Sequence, residues 1–391
     1  MRTANAAFLL LLAACQGEND IVPQPPEETG VEVDTEADTE LVVVEVPRVY
    51  FIEQPSAHAF SDAGKLLVSN IREGGDVYVW TEDEGLEWVT STETIFNGVN
   101  DISRDGTVIV GEFGDYTQDE ITQAAVWTED DDWVKLGALP DTMDCPMQSA
   151  GYAIADDGMT VAGLAFSGCN GRAFIHTPDG GLVGMDNATE SGGARASNIS
   201  GDGSVVVGFS QGRSSRTPTW WSTEDGVGHL LVMQDANGDP ILDADGNTIP
   251  NDRAGGEFYD VNADGTLIVG QVGSRALVWT PERHRVLPTM GDPATSSARA
   301  RVICGEGDEY IGGFSNLNGG TAFLYSQEDD TMHIAEEYFA EFGAIFPDDA
   351  RLSELVACTP DLTHFAALGT TGTETGVWVV VFPDATLPSA P

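Results

Sequence analysis

The chain is 391 residues long and carries 64 acidic against 17 basic residues, a formal charge of −47. A chain so charged repels phosphate backbones, which excludes nucleic acid as a partner. Lysine occurs only at Lys65 and Lys135, and the other fifteen cations are arginines. Such a surface suits salty surroundings, where screening blunts self-repulsion, and equally an ordinary acidic secreted protein.

In chain order the first element is an apolar run from Ala6 to Leu12, preceded by Arg2 and followed by Ala13-Ala14-Cys15. It is too short to cross a bilayer as a helix and reads as the core of a signal peptide over residues 1–14. Leu12-Ala13-Ala14-Cys15 resembles the bacterial lipobox. That resemblance implies lipid attachment at Cys15, with several acyl chains giving lasting membrane attachment. Gln16 stands where an inner-membrane retention signal has Asp, which favours the outer membrane. Residues 15–46 then carry ten acids and no base, a self-repelling extended tether.

From Pro47 to the end the composition becomes globular, and one phrase recurs. It reads NDISRDGTVIVGE from Asn100, YAIADDGMTVAGL from Tyr152, SNISGDGSVVVGF from Ser197 and YDVNADGTLIVGQ from Tyr259. Weaker copies begin at His58, Arg301 and Ser353. The Asp-Gly pair makes a tight reversal, because Gly tolerates the positive φ it requires, and the β-branched run after it reads as a buried strand. A third strand follows in each copy, with Trp80, Trp127, His176, Trp221, Trp279, Tyr325 and Trp378 at one position. These rings are expected to fill the wedge between neighbouring units rather than to form an exposed ladder. A polar turn and a fourth strand complete each unit. Four antiparallel strands repeated at this period predict an all-β fold, a β-propeller of seven four-stranded blades. The seventh copy lacks a fourth strand, and the unpaired strand Val46–Ile52 is expected to supply it and close the ring.

The phrase Ile-Ser-x-Asp-Gly-x-x-Val-Val-Gly, followed by Ala-Phe-x-Trp-Thr, resembles the HAF-type extracellular repeat of bacterial secreted proteins. The resemblance covers about His58 to Phe382. The helical insert Ala335–Phe342 and the closing Val-Trp-Val are similar to that family's C-terminal unit. It implies the architecture and carries no assigned chemistry. Two copies depart from the pattern: Glu306 replaces the turn Asp, and Asp361-Leu362 replaces Asp-Gly.

Within this frame the Asp-Gly turns share one face of the disc and the long loops share the other, which makes the loop face the expected working face. Cys145 and Cys169 both fall on the loop face and are expected to bond. Cys304 and Cys358 fall near the ends of first strands in adjacent units, where they pair or remain two buried thiols. In QDANGDPILDADGNTIP, from Gln234 to Pro250, the carboxylates and amide of Asp235, Asn237, Asp239, Asp243 and Asp245 are candidate calcium ligands. Pro240 and Gly246 break the calcium-loop pattern, however, and a protruding hairpin with two turns explains the same residues. Gly208-Phe209-Ser210-Gln211-Gly212 matches a serine nucleophile pattern but sits at a strand end and recurs in part at Gly313-Phe314-Ser315, as repeat grammar does.

No catalytic set, metal site or cofactor site emerges. The expected function is a lipid-anchored, monomeric binding or scaffolding module of the cell envelope, its protein or glycan partner docking on the loop face. The alternative is a hydrolase or lyase acting on glycans at the axial mouth of that face. Arg195, Arg299 and Arg301, near first strands, would then bind acidic sugars; otherwise they pair with neighbouring acids.

Overall fold

The computed structural model describes residues 45–70, 76–89, 96–114, 121–140, 147–190, 192–212, 215–281 and 283–383. The expected signal peptide, Cys15 with its expected lipid attachment, and the expected tether up to residue 44 lie outside these residues.

Twenty-eight strands, one short α-helix and one turn of 3-10 helix (Leu317–Gly319) are described. β1 (Arg48–Ile52) precedes the first blade, which holds β2 (Ser56–Phe60), β3 (Leu66–Asn70), β4 (Asp76–Thr81) and β5 (Gly85–Trp88). The second blade holds β6 (Phe96–Ile102), β7 (Ile109–Gly114), β8 (Gln123–Thr128) and β9 (Asp132–Gly137). The third holds β10 (Ser149–Ile154), β11 (Val161–Ser167), β12 (Asn170–Thr177) and β13 (Gly181–Gly184). The fourth holds β14 (Ala194–Ile199), β15 (Val205–Gln211), β16 (Arg216–Ser222) and β17 (Gly228–Leu230). The fifth holds β18 (Gly256–Val261), β19 (Ile268–Val272), β20 (Arg275–Trp279) and β21 (His284–Val286).

The remaining strands correct the expectation of seven separate blades: five four-stranded sheets stand alone, and the rest form one eight-stranded sheet. One half of it is β22 (Ala298–Cys304), β23 (Tyr310–Ser315), β24 (Thr321–Ser326) and β25 (Thr331–Ile334). The other is β26 (Ala350–Cys358), β27 (His364–Thr371) and β28 (Glu374–Val381), with β1 added at its edge. The halves join at a single pair, Phe314 opposite Glu354. The cause is local. β26 carries two register shifts, at Leu352/Glu354 and Leu355/Ala357, and Arg299 on β22 grips the Glu354 carboxylate with two 2.7 Å bonds.

β1 closes the ring as expected. It pairs antiparallel with β28 from Arg48↔Val381 to Ile52↔Val377, so the last sheet takes its outer strand from the start of the fold. Ile52, Phe60, Leu66 and Trp80 pack with Val356, Val377 and Val379, and this core spans first blade and last sheet. Trp221 is fully buried among Ala153, Ala162 and Ala173 of the preceding blade, and Tyr325 among Leu267 and Val278. Third-strand rings therefore do fill inter-blade wedges. α1 (Ala335–Glu341) buries Tyr338 and Phe339 against the eight-stranded sheet, with Phe339 close to Phe365 and Phe382.

The repeat phrase owes its letters to one turn geometry. In the second blade the Asp105 carboxylate accepts from the hydroxyls of Ser103 (2.7 Å) and Thr107 (2.8 Å) and from the Thr107 N–H, while Gly106 takes φ 71°. Asp202 with Ser200 and Ser204, and Asp361 with Thr359 and Thr363, repeat the arrangement. Asn262-Ala263-Asp264-Gly265-Thr266 keeps the Thr266 bond. A side-chain acceptor that organises its own turn is the usual role of Asp at such positions. Leu362 occupies the glycine position at φ 61°, a conformation that costs roughly 1–2 kcal/mol for a residue with a Cβ.

Candidate functional site

The inner strands β2, β6, β10, β14, β18, β22 and β26 line the axis, and each carries a register shift near its middle. The shifts skip Asn100, Tyr152, Ser197, Tyr259 and Arg301, and in β2 the span that holds His58. A bulge leaves its extra residue unpaired and re-aims the side chain. Those six side chains, with Val356 from β26, line an axial chamber of about 220 Å³. The six are also the residues that open the first six copies of the repeat phrase.

Below the chamber, toward the Asp-Gly turns, a second cavity of about 470 Å³ shares Asp101, Asn198, Asp260 and Ile303 with it and opens among Asp62, Arg104, Asp156, Asn262, Glu306 and Asp308. The larger axial opening thus lies on the turn face, opposite the face that loop length favours. Short turns leave an axis uncovered, whereas long loops can fold over it. Arg104 bridges Asp62 and Asp156, at 2.7 and 2.8 Å, so one cation ties three successive turns along this rim.

The carboxyl groups around the axis are occupied. Asp101 accepts the Ile102 N–H and, across the blade boundary, the Ile154 N–H, both at 2.9 Å. Asp260 accepts from Asn198 Nδ2 (2.6 Å), the Val261 N–H (2.9 Å) and the Ile303 N–H (2.7 Å). Burial pushes both groups up to about 7 from an ordinary value near 3.8, against the pull of those backbone donors. His58, bonded to Ser69 Oγ at 2.8 Å, is held down at about 4 by burial and by the nearby Arg301 guanidinium.

Toward the loop face, Glu257 is almost fully buried and accepts from Arg195, from Arg216 (2.7 Å) and from Ser197 Oγ (2.7 Å). Arg195 also lies over the Tyr152 and Phe209 rings, and Arg299 over Phe314. Of the three arginines singled out in the sequence, Arg195 and Arg299 therefore pair with acids. Arg301 is exposed in the chamber, its guanidinium 5.2 Å above the Tyr259 ring, and makes no ion pair or hydrogen bond among the described residues.

The other expected residues fall elsewhere. Cys304 and Cys358 form a disulfide, with Cα atoms 5.7 Å apart, which links the inner strands of the eight-stranded sheet. Cys169 is also disulfide-bonded, and Cys145, its expected partner, lies outside the described residues. The segment from Val232 to Pro250 forms a projecting pair of turns through the bridges Val232↔Pro250, Gln234↔Pro240 and Leu242↔Thr248. There Asp235 accepts the N–H groups of Asn237 and Asp239, and Asp243 those of Asp245 and Asn247, all exposed. Turn formation accounts for this pattern, and among the described residues no group of three or more His, Cys, Asp or Glu is placed to hold a metal ion. Ser210 is buried within β15, where the nucleophile elbow would need a strand-to-helix turn.

The sequence did not single out His58, Asn100, Tyr152, Ser197 and Tyr259 as a group. The available signal was the first letter of each phrase, which varies in chemistry while the apolar third letter and the turn glycine do not.

Fold and site together define a β-propeller with a polar chamber on its axis. No protein-family model matches the chain, and no curated protein matches it. Among solved structures it is similar to a chain of the Mitotic Checkpoint Complex, at 12% identity and TM-score 0.51, over 89% of this chain and 97% of that one. It is similar to a prolyl endopeptidase at 13% identity and TM-score 0.52, over 85% of this chain. The match spans 46% of that endopeptidase, less than half its length. An oligogalacturonate lyase from Vibrio parahaemolyticus matches at 11% identity and TM-score 0.48, over 87% of this chain and 98% of that one. At these identities the likeness concerns the fold alone.

Proposed function

We propose that this protein is a lipid-anchored, extracytoplasmic binding module whose ligand site is the propeller axis. One observation carries the choice of binding over catalysis: the axial carboxyl groups hold the ring together. Asp101 and Asp260 accept backbone N–H groups across blade boundaries, and Glu257 and Glu354 accept guanidinium groups. Glycan hydrolysis needs a pair of carboxyl groups free to exchange protons with substrate and water. Here the same groups are spent on architecture: Asp101 and Asp260 reach the chamber with their oxygens already bonded, and the other polar groups lining it include His58, Asn100, Tyr152, Ser197, Tyr259 and the cation Arg301. The anchor follows from the lipobox-like Leu12-Ala13-Ala14-Cys15 and the acidic stretch after it.

One experiment with two readouts tests this reading. Cells producing the full chain are fed labelled palmitate, and the purified protein is incubated with neutral and acidic polysaccharides. Label is expected in the wild type and not in Cys15→Ala, and no new reducing or unsaturated ends are expected. Equal labelling would remove the anchor, and chain cleavage that depends on the axial carboxylates would replace the module with an enzyme.

A further inference from the structure

Arg301 is the anomaly of the axis. The protein has 64 carboxylates for 17 cations, so an arginine without a carboxylate partner is kept apart by the fold. Its neighbours Arg195, Arg216 and Arg299 all have one. Asp260 lies within electrostatic reach of Arg301, yet three N–H donors occupy its oxygens. The Tyr259 ring fixes the guanidinium by cation–π contact and leaves its N–H edge unused.

The surroundings select the ligand. Toward the loop-side end of the axis Arg195 and Arg216 pair with Glu257 and Arg299 with Glu354, Arg301 adds a fourth guanidinium over the Tyr259 ring, and Glu112 lies near Gly98 of β6. That is a locally positive patch in a molecule of charge −47. At the turn-face end Asp62, Asp156 and Asp308 oppose the entry of an anion, so the axis is polarised. The chamber between holds about 220 Å³, below the roughly 300–1,000 Å³ of pockets for drug-sized ligands. Asn100, Tyr152, Ser197 and Tyr259 line it with neutral polar side chains; Ser197 Oγ donates to Glu257 and Asn100 Nδ2 to the Gly151 carbonyl, which leaves their oxygens as acceptors for hydroxyl groups.

We infer that the chamber binds a small hydroxylated carboxylate, of the size of a single uronic or aldonic acid, with its carboxylate on Arg301. The inference builds on the binding-module reading and names the ligand class. Titration calorimetry on the full chain in detergent, at low ionic strength, tests it with glucuronate as probe. Glucose and glucuronamide keep the shape and lose the charge, and inorganic phosphate keeps charge and loses the hydroxyls. Glucuronate is expected to bind at least tenfold more tightly than any of the three. Arg301→Gln is expected to lose at least tenfold in affinity while the melting temperature moves by no more than a few degrees, since the guanidinium loses a cation–π contact but no hydrogen bond or ion pair of the free protein. Equal binding of glucuronamide or phosphate by the wild type, no binding of glucuronate, or undiminished binding by a folded Arg301→Gln would each overturn the inference. The uncharged analogues decide the matter in the wild type even if the variant fails to fold. Failure here leaves a binding module with another ligand, whereas polysaccharide cleavage overturns the module and leaves this site standing.

Discussion

Three side chains at the axis are held away from their ordinary protonation, and their linkages run in opposite directions. Asp101 and Asp260, raised to about 7, bind protons in the folded state that the unfolded chain has released. Their contribution to stability is therefore present below pH 4 and is lost as pH rises through 7. His58, lowered to about 4, behaves oppositely: the unfolded chain takes up a proton below pH 6.5 that the folded protein refuses until pH 4. Stability from His58 is thus lost as pH falls through that window. Between pH 6.5 and 8 the two carboxyls outweigh the tail of the His58 titration in the unfolded chain, so stability is expected to decline by about 1 kcal/mol on balance. Urea midpoints of the wild type and of Asp101→Asn/Asp260→Asn, compared at pH 6.5 and 8, check this. The double variant should be less stable throughout, because each amide turns a donor toward a backbone N–H at roughly 1–3 kcal/mol per unpaired buried group. It should also lose the decline, and an unchanged slope would show that these carboxyls do not titrate there.

Among the elements, β1 does the most for its length. Five residues complete the pairing of β28, Phe51 packs on Trp378 at 4.8 Å, and Tyr50 reaches the first blade through Trp80 and Glu82. Deleting residues 47–52 exposes the β28 edge and parts the first blade from the last sheet. Thermal unfolding should move down by 10 °C or more, given that several kcal/mol of pairing and burial go at once and each kcal/mol is worth about 2–4 °C in a large domain. A melting curve within 2 °C of wild type would refute closure by β1. This strand was legible in the sequence because a missing fourth strand and a spare one pose a counting problem with one solution. The Asp-Gly hairpins were legible for a local reason: Ser103, Asp105, Gly106 and Thr107 satisfy one another within five residues. The eight-stranded sheet was not, since Phe314↔Glu354 depends on two register shifts and an arginine fifty-five residues away. The chamber escaped notice for the same reason. Bulges turn Tyr152 and Tyr259 to the axis, and a bulge leaves no mark in a two-residue alternation read from one strand.

At the scale of the whole molecule the charge of −47 sets the response to salt. Pairing absorbs little of it, as the described ion pairs engage seven arginines and leave a large excess of acids. Self-repulsion of exposed carboxylates acts over a screening length of about 30 Å at 0.01 M salt and about 3 Å at 1 M, so added salt relieves it in the compact state more than in the expanded one. The melting temperature at pH 8 is therefore expected to rise by several degrees between 10 mM and 1 M sodium chloride. The axis should answer in the opposite sense, because the same screening weakens the pull of Arg301 and its neighbours on a carboxylate. Calorimetric melting and glucuronate titration on one sample, across that range of salt, separate the two. Stability that falls with salt would mean that local ion pairs such as Arg104 with Asp62 and Asp156 outweigh the global field, and the lysine-poor, acidic surface would then need another explanation than life in salty surroundings.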